Sequence, residues 1–444
     1  MKQKATLITN ATNGSDISGD IDGLTSLPVS EWLEVTQVLT PAEIQAHVTS
    51  IRNDVVIYLP NPHTLSGQMA IPLMPSSPFL MPWFPASPLP TETAIANSNE
   101  IVAWIASTCL VQQAVPQLQP SDWTVLRLAE VLERASIPFD WATVSALPLT
   151  DMQRELGSRD WQDQDHRSAK DIQDRSVLAL VPHYRCEAWL SRCLRSLLAQ
   201  TRPPDAIVVI DDASNRPPIG IVEQFPNVTL LAAPDRVGPY RLIQQVIHDT
   251  HYWGYVFQDA DDWSSCDRLQ SLLALALATG AELVGTQEIR IDEEAQRLTA
   301  VNYPLDANAA LATKPGHPLL HPTSFVTRDL VQRLGGFATG LHFGGDTEFL
   351  LRAVWVAKVV NLPSYSYFRR KRSHSLTTAP DTGLESSARQ ALLRQLKQQA
   401  IARQAAFASG EPPDLSPIAT APAIQLNHIT GPPLNCSASP VSRG

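Results

Sequence analysis

The stretch "SVLALVPHYRCEAWLSRCLRSLLAQTRPPDAIVVIDDAS", residues 176–214, decides the fold. It opens on a short apolar run with β-branched residues, which reads as a strand. In "EAWLSRCLRSLLA" the residues Trp189, Cys193, Leu194, Leu197 and Leu198 share one face of a helix. "AIVVIDD" is a second strand, "VTLLAAP" a third and "YRLIQQVIHDT" a helix. "GYVFQDA" is a fourth strand, "RLQSLLALALA" a helix and "AELVGTQEI" a fifth strand. Strands alternating with helices at this spacing predict an α/β fold built on a doubly wound, mostly parallel sheet.

Ligands of such sheets bind outside the carboxyl ends of the strands. Acidic residues stand at two of these ends: Asp211 and Asp212 after the second strand, and Asp259, Asp261 and Asp262 after the fourth. Like charges this close raise each other's pKa and destabilise the fold unless a positive group offsets them. Either cluster alone reads as a turn or helix cap. Two in one sheet, facing one crevice, are hard to treat as coincidence: either water screens them on a loop or a cation sits among them. The Asp-x-Asp at Asp20 and Asp22 follows polar residues and reads as a solvated segment. No strand carries GxGxxG or a phosphate loop, which disfavours a dinucleotide fold or an NTPase.

"LALVPHYRCEAWLSRCLRSLLAQTRPPDAIVVIDDAS" resembles the opening of a family 2 (family A) glycosyltransferase. That family reads P-x-Y-N-x-E-x-x-L, then Q-T, a proline and a strand ending D-D-x-S. The matching residues are Pro182, Tyr184, Glu187, Leu190, Gln200, Thr201, Asp211, Asp212 and Ser214. "FQDADDWSSCDRL" resembles its D-x-D-D segment and the helix opening in Arg-Leu. "GGFATGLHFGGDTEFLLRA" and "YFRRKRSHSLT" resemble its last two motifs, and the four together cover about residues 176–380.

The resemblance implies a GT-A fold that transfers a sugar, with inversion, from a nucleotide-diphosphate sugar to a glycan, lipid or other hydroxyl acceptor. Surface polysaccharide or glycan assembly is the implied setting. It makes Asp346 the catalytic base. It assigns Pro182, Tyr184, Glu187, Asp211, Asp212, Asp259 and Arg372 to the donor, with Asp212 favoured for the base of the nucleotide and Asp259 for the ribose. Asp261, with Asp259, would coordinate Mg²⁺ or Mn²⁺. A hard cation among carboxylates stabilises a leaving diphosphate as a Lewis acid. Two positions depart from the family wording: Arg185 replaces Asn, and Gly345 replaces the Glu that precedes Asp346. Arg369, Arg370 or Arg372 would take the phosphate contacts that many members give to a histidine. A non-catalytic nucleotide-sugar or glycan-binding module on the same fold is the alternative.

At 444 residues the chain has room for two or three domains. Residues 1–150 read as an α/β accessory domain, either a degenerate second GT-A-like half or an unrelated unit. Within it, a helix is expected from Thr40, a strand at "DVVIYLP", and helices at "EIVAWIASTCLVQQAV" and "SDWTVLRLAEVLERA". The proline-punctuated "PLMPSSPFLMPWFPASPLP" reads as irregular. Residues 151–175 read as a polar linker, 176–380 as the catalytic domain, 381–410 as a helix and 411–444 as a disordered tail.

The net charge of −10 argues against a nucleic-acid partner. Five scattered cysteines without CxxC favour a reducing compartment. With no apolar leader and no span-length run, the expectation is a cytoplasmic protein, at most peripheral to the inner face of a membrane. His248 and His251 read as helix C-terminal caps, and His317 and His321 as part of an acceptor-side loop.

Overall fold

The structure, a computed structural model, describes residues 5–9, 55–59, 79–83, 96–101, 103–114, 117, 125–137, 139–141, 169–373 and 375–435. The helix expected from Thr40, the Asp20–Asp22 segment, linker residues 151–168 and tail residues 436–444 lie outside them.

Eight strands form the main sheet: β1 Val177–His183, β2 Ala206–Asp211, β3 Val228–Ala232, β4 Gly254–Phe257, β5 Leu283–Gly285, β6 Phe325–Thr327, β7 Val359–Asn361 and β8 Asn427–Thr430. Their order is β7-β5-β6-β4-β1-β2-β3-β8. Strands β4, β1, β2 and β3 run parallel, as do β5 and β7, while β6 and β8 run antiparallel to their neighbours. A sheet covered on both faces needs apolar residues on both sides of each strand. In β1, Val177, Ala179 and Val181 face helices Glu187–Leu198 and Arg268–Thr279, while Leu178 and Leu180 face helices Pro239–Asp249 and Gly345–Ala353. The doubly wound α/β fold expected from the sequence is present.

The expected fifth strand is two strands in two sheets. Leu283–Gly285 is β5, but the chain leaves the main sheet at Thr286 and Gln287 and continues as strand Glu288–Asp292. Gln287 makes this break possible, donating to the Leu362 carbonyl (2.7 Å) and accepting from the Tyr303 N–H (2.5 Å). The second sheet orders strands Trp263–Ser264, Tyr367–Arg370, Glu288–Asp292, Arg297–Asn302 and Ala96–Ile101. Its last strand comes from the N-terminal region.

That region also forms a five-stranded sheet of its own. Strand Val55–Leu59 and helix Val125–Arg134 lie where the sequence puts them. Two expectations are corrected. "AWIAS" is a strand, Ala103–Ser107, and only Thr108–Ala114 is helical. Periodicity alone cannot separate a short buried strand from a helical turn in so apolar a run. Phe79–Trp83 is a strand despite Pro82. Only Phe79 and Leu80 pair on its second side, so Pro82 lies where the strand is an edge, the setting in which sheets tolerate proline. The end of the expected linker, Ala169–Gln173, is a helix that packs Ile172 into the core.

The tail is the largest correction. After helix Ser387–Ala408 and the left-handed Gly410, residues 411–435 run across the domain and supply β8. Ala421 N–H donates to Thr339 Oγ1 (2.8 Å) and Ile424 N–H to Gln245 Oε1 (2.9 Å). Leu415, Ile424, Leu426 and Leu434 pack onto the core at widely spaced points. The apolar residues are too few for a periodic signal, yet each reaches the body from an extended, proline-stiffened backbone. No helix among the described residues is long and apolar enough to cross a membrane.

Candidate active site

The carboxyl ends of β1, β2 and β4 meet in one crevice. Asp211, the last residue of β2, is fully buried. Its Oδ1 meets His183 Nδ1 at 2.8 Å, and its Oδ2 accepts from the Ser214 N–H at 2.9 Å. Burial pushes the carboxyl up, but the bonds from His183 and Ser214 outweigh it and hold the pKa below the usual range. His183 Nε2 accepts from the Cys186 N–H (3.2 Å), so the network assigns the ring proton to Nδ1. His183, the variable residue between Pro182 and Tyr184, has no signal of its own in the sequence.

Asp212 serves the next loop. Its carboxylate accepts from the N–H groups of Val237 (2.7 Å) and Gly238 (3.0 Å), the residues that open helix Pro239–Asp249. Burial raises its pKa, and these N–H groups offset the rise only in part. Both carboxylates of the D-D pair are therefore bonded within the protein, whichever of them also meets a ligand.

Pro182 and Tyr184 flank His183 at the end of β1, and Glu187 is exposed in the first turn of the following helix. The Tyr184 ring lies under the guanidinium of Arg236 (4.0 Å) and beside that of Arg185 (5.1 Å). Arg185 has φ 53°, and Ala213 across the crevice has φ 55°. Asn tolerates this left-handed conformation better than most residues, which gives a backbone reason for Asn at residue 185 in the family wording.

Asp259, Asp261 and Asp262 follow β4, each offering one oxygen within 4.8 Å of the others. They are the group among the described residues that could hold a metal; His248 and His251 do not join it. Asp262 is committed elsewhere: it accepts from the Tyr367 hydroxyl (2.9 Å) and the Arg370 N–H (2.7 Å), tying the loop to strand Tyr367–Arg370. Burial, and then repulsion from Asp261, push the Asp259 carboxyl up to about 7. Asp261 pairs with Arg372, whose guanidinium lies over Trp189 at 5.0 Å. The all-oxygen donor set is of a kind that could hold a divalent cation.

The loop's shape comes from residues that the sequence did not single out. The buried Arg268 donates to the Phe257 carbonyl before the loop and to Ser264 Oγ after it, each at 2.8 Å. Arg370 gives Nε–H to the Asp261 carbonyl (2.9 Å) and pairs with Glu293. Arg369 faces Glu288 at 3.7 Å. Of the three arginines weighed for phosphate, Arg372 stands directly on the acidic cluster.

Asp346 is the second residue of helix Gly345–Ala353, whose N-cap is Gly344 at φ 75°. Its Oδ1 accepts from the Tyr240 hydroxyl (3.0 Å), and its Oδ2 lies 3.9 Å from His317 Nε2. Burial raises its pKa, but His317, His321, the Thr347 N–H and the Tyr240 hydroxyl outweigh it and leave the carboxyl below its usual value. Burial holds His321 near a pKa of about 4, so its charge contributes only in acid. The charge of Asp346 in turn raises the pKa of Asp259, so the two stand within electrostatic reach of each other. The structure thus gathers His317 and His321 with Asp346.

Fold and crevice together define a GT-A type α/β domain with acidic strand ends. Residues 179–333 match the family model described as Glycosyl transferase family 2. The match spans about a third of the chain, and Asp346 and Arg372 lie beyond it. No curated protein matches the chain. Among solved structures, S. aureus TarS 1-349 in complex with UDP is 17% identical with a TM-score of 0.38, covering 53% of this chain and 73% of that one. The same protein in complex with UDP-GlcNAc is 18% identical with a TM-score of 0.40, covering 52% and 73%.

Proposed function

We propose that the protein is a metal-dependent inverting glycosyltransferase that uses a nucleotide-diphosphate sugar and a hydroxyl acceptor on a glycan or lipid. What supports this reading is the family match over residues 179–333 together with three carboxylates, Asp259, Asp261 and Asp262, gathered within 4.8 Å after β4. Asp346 takes the proton of the acceptor hydroxyl, whose oxygen bonds to the anomeric carbon as the bond to the diphosphate breaks. One displacement from the opposite face inverts that carbon. Mg²⁺ or Mn²⁺ held by Asp259 and Asp261 would supply Lewis-acid stabilisation of the leaving diphosphate. Arg372 adds positive charge at the same end, and Tyr184 with Arg236 offers a face for the nucleotide. The setting we favour is surface polysaccharide or glycan assembly in the cytoplasm, at or near a membrane.

Incubation with a panel of UDP-, GDP- and dTDP-sugars and Mn²⁺ tests this, the readout being slow release of the nucleotide diphosphate. No release from any donor counts against turnover and favours a binding module. The Arg372–Asp261 pair is the observation that keeps the second reading in view, because it offsets the acidic charge without a metal. Asp261→Ala is expected to abolish Mn²⁺-dependent binding of the nucleotide diphosphates while leaving the fold intact. Unchanged Mn²⁺-dependent affinity by calorimetry would remove Asp261 from the metal site.

A further inference from the structure

We infer that Tyr240 is a positioning residue for Asp346 and that the missing side chain at residue 345 is what admits it, an inference that rests on Asp346 being the base. The family wording has a carboxylate at residue 345, and this chain has glycine. A Cβ at Gly345 would stand 2.7 Å from Cδ2 and 2.8 Å from Cγ of Tyr240, so the ring occupies the space a side chain would need. The ring is fixed from two sides. It stacks on Phe337 (centroids 6.5 Å apart, 16° between planes) and meets His321 edge-on at 6.2 Å. Its backbone is fixed as well, since Tyr240 follows Gly238 and Pro239 at the helix start that Asp212 holds.

From there the Tyr240 hydroxyl donates to Asp346 Oδ1 at 3.0 Å. Oδ2 is left toward His317, beyond hydrogen-bond distance at 3.9 Å. The hydroxyl thereby anchors Oδ1 and fixes the direction in which the carboxylate faces the crevice. The charged and titratable groups facing this pair are His317 and His321 from the preceding loop, Asp259 across the crevice and Arg389, which acts on the Tyr240 hydroxyl.

Tyr240→Phe keeps the ring and its stacking but removes the donor. In turnover of the active donor of the nucleotide-sugar panel with Mn²⁺, kcat is expected to fall roughly tenfold with the donor KM unchanged. Without the donated bond the Asp346 carboxylate is less favoured, so the acid limb of the pH profile should move to higher pH. Gly345→Ala, which must displace the ring, should reproduce the loss, and adding it to Tyr240→Phe should cost little more. A Tyr240→Phe enzyme with unchanged kcat and an unmoved acid limb overturns the positioning role while Asp346→Asn remains inactive. Should Asp346→Asn keep its activity, or no donor turn over at all, the base assignment fails and this inference with it.

Discussion

Asp346→Asn is expected to lower transfer by a factor of at least ~100 while donor binding is retained. Asn still fits the second position of helix Gly345–Ala353 and still accepts from the Tyr240 hydroxyl, but it cannot take a proton. A helix-capping role would behave differently, and the structure already gives the N-cap to Gly344. The carboxyl's depressed pKa means that the folded state favours the charged form. That stability is present above the unfolded carboxylate pKa and is lost as pH falls through the folded value. The Asn variant should therefore melt slightly lower than the parent at pH 7, and the gap should close in acid. Near-normal transfer by Asp346→Asn, with loss only in Asp346→Ala, would place the base elsewhere.

Truncation after Gly410 is expected to destabilise the domain by about 2–5 kcal/mol, seen as a melting temperature several degrees lower. It strips β8 from β3, uncovers Leu231 and removes Leu415, Ile424, Leu426 and Leu434 from the core surface. The damage reaches the site through a buried pair. Glu348 and Arg352, fully buried on the Asp346 helix, are joined by two bonds of 2.8 and 2.6 Å. Arg352 also donates to the carbonyls of Leu334 (2.7 Å), Gly336 (2.9 Å) and Leu415 (3.3 Å), and Glu348 accepts from the Ile418 N–H (3.3 Å). Losing the tail leaves this pair short of partners, and buried ion pairs are costly when incompletely satisfied. An unchanged melting temperature by differential scanning fluorimetry would mean that the tail adds nothing to stability.

The parallel strands were legible because each is a short apolar run ending in a carboxylate or a turn. Their buried cores, such as Val208, Val209 and Ile210 in β2, leave little room for another assignment. β8 was not legible, since "NHIT" has no apolar alternation and pairs only because β3 presents an open edge. The acidic half of the site was visible from charge placed where apolar runs stop. Its supports were not: His183, Tyr240, Arg268 and Tyr367 act through contacts between distant segments, which no local pattern records. Asp346 stands two residues inside a helix start that the left-handed Gly344 caps, a placement no local pattern announces.

The left-handed backbone at Arg185 and Ala213 bears on how mutant libraries of this crevice should be designed. A library that varies residue 185 to retune donor charge also changes the shape of the loop, because few side chains sit comfortably at φ 53°. Arg185→Asn or Arg185→Gly alters charge on a backbone those residues accept, whereas a β-branched replacement confounds the two effects. Gly345 sets the opposite kind of limit, one of room and not of backbone. Randomising it together with residue 240 samples combinations that neither position can reach alone.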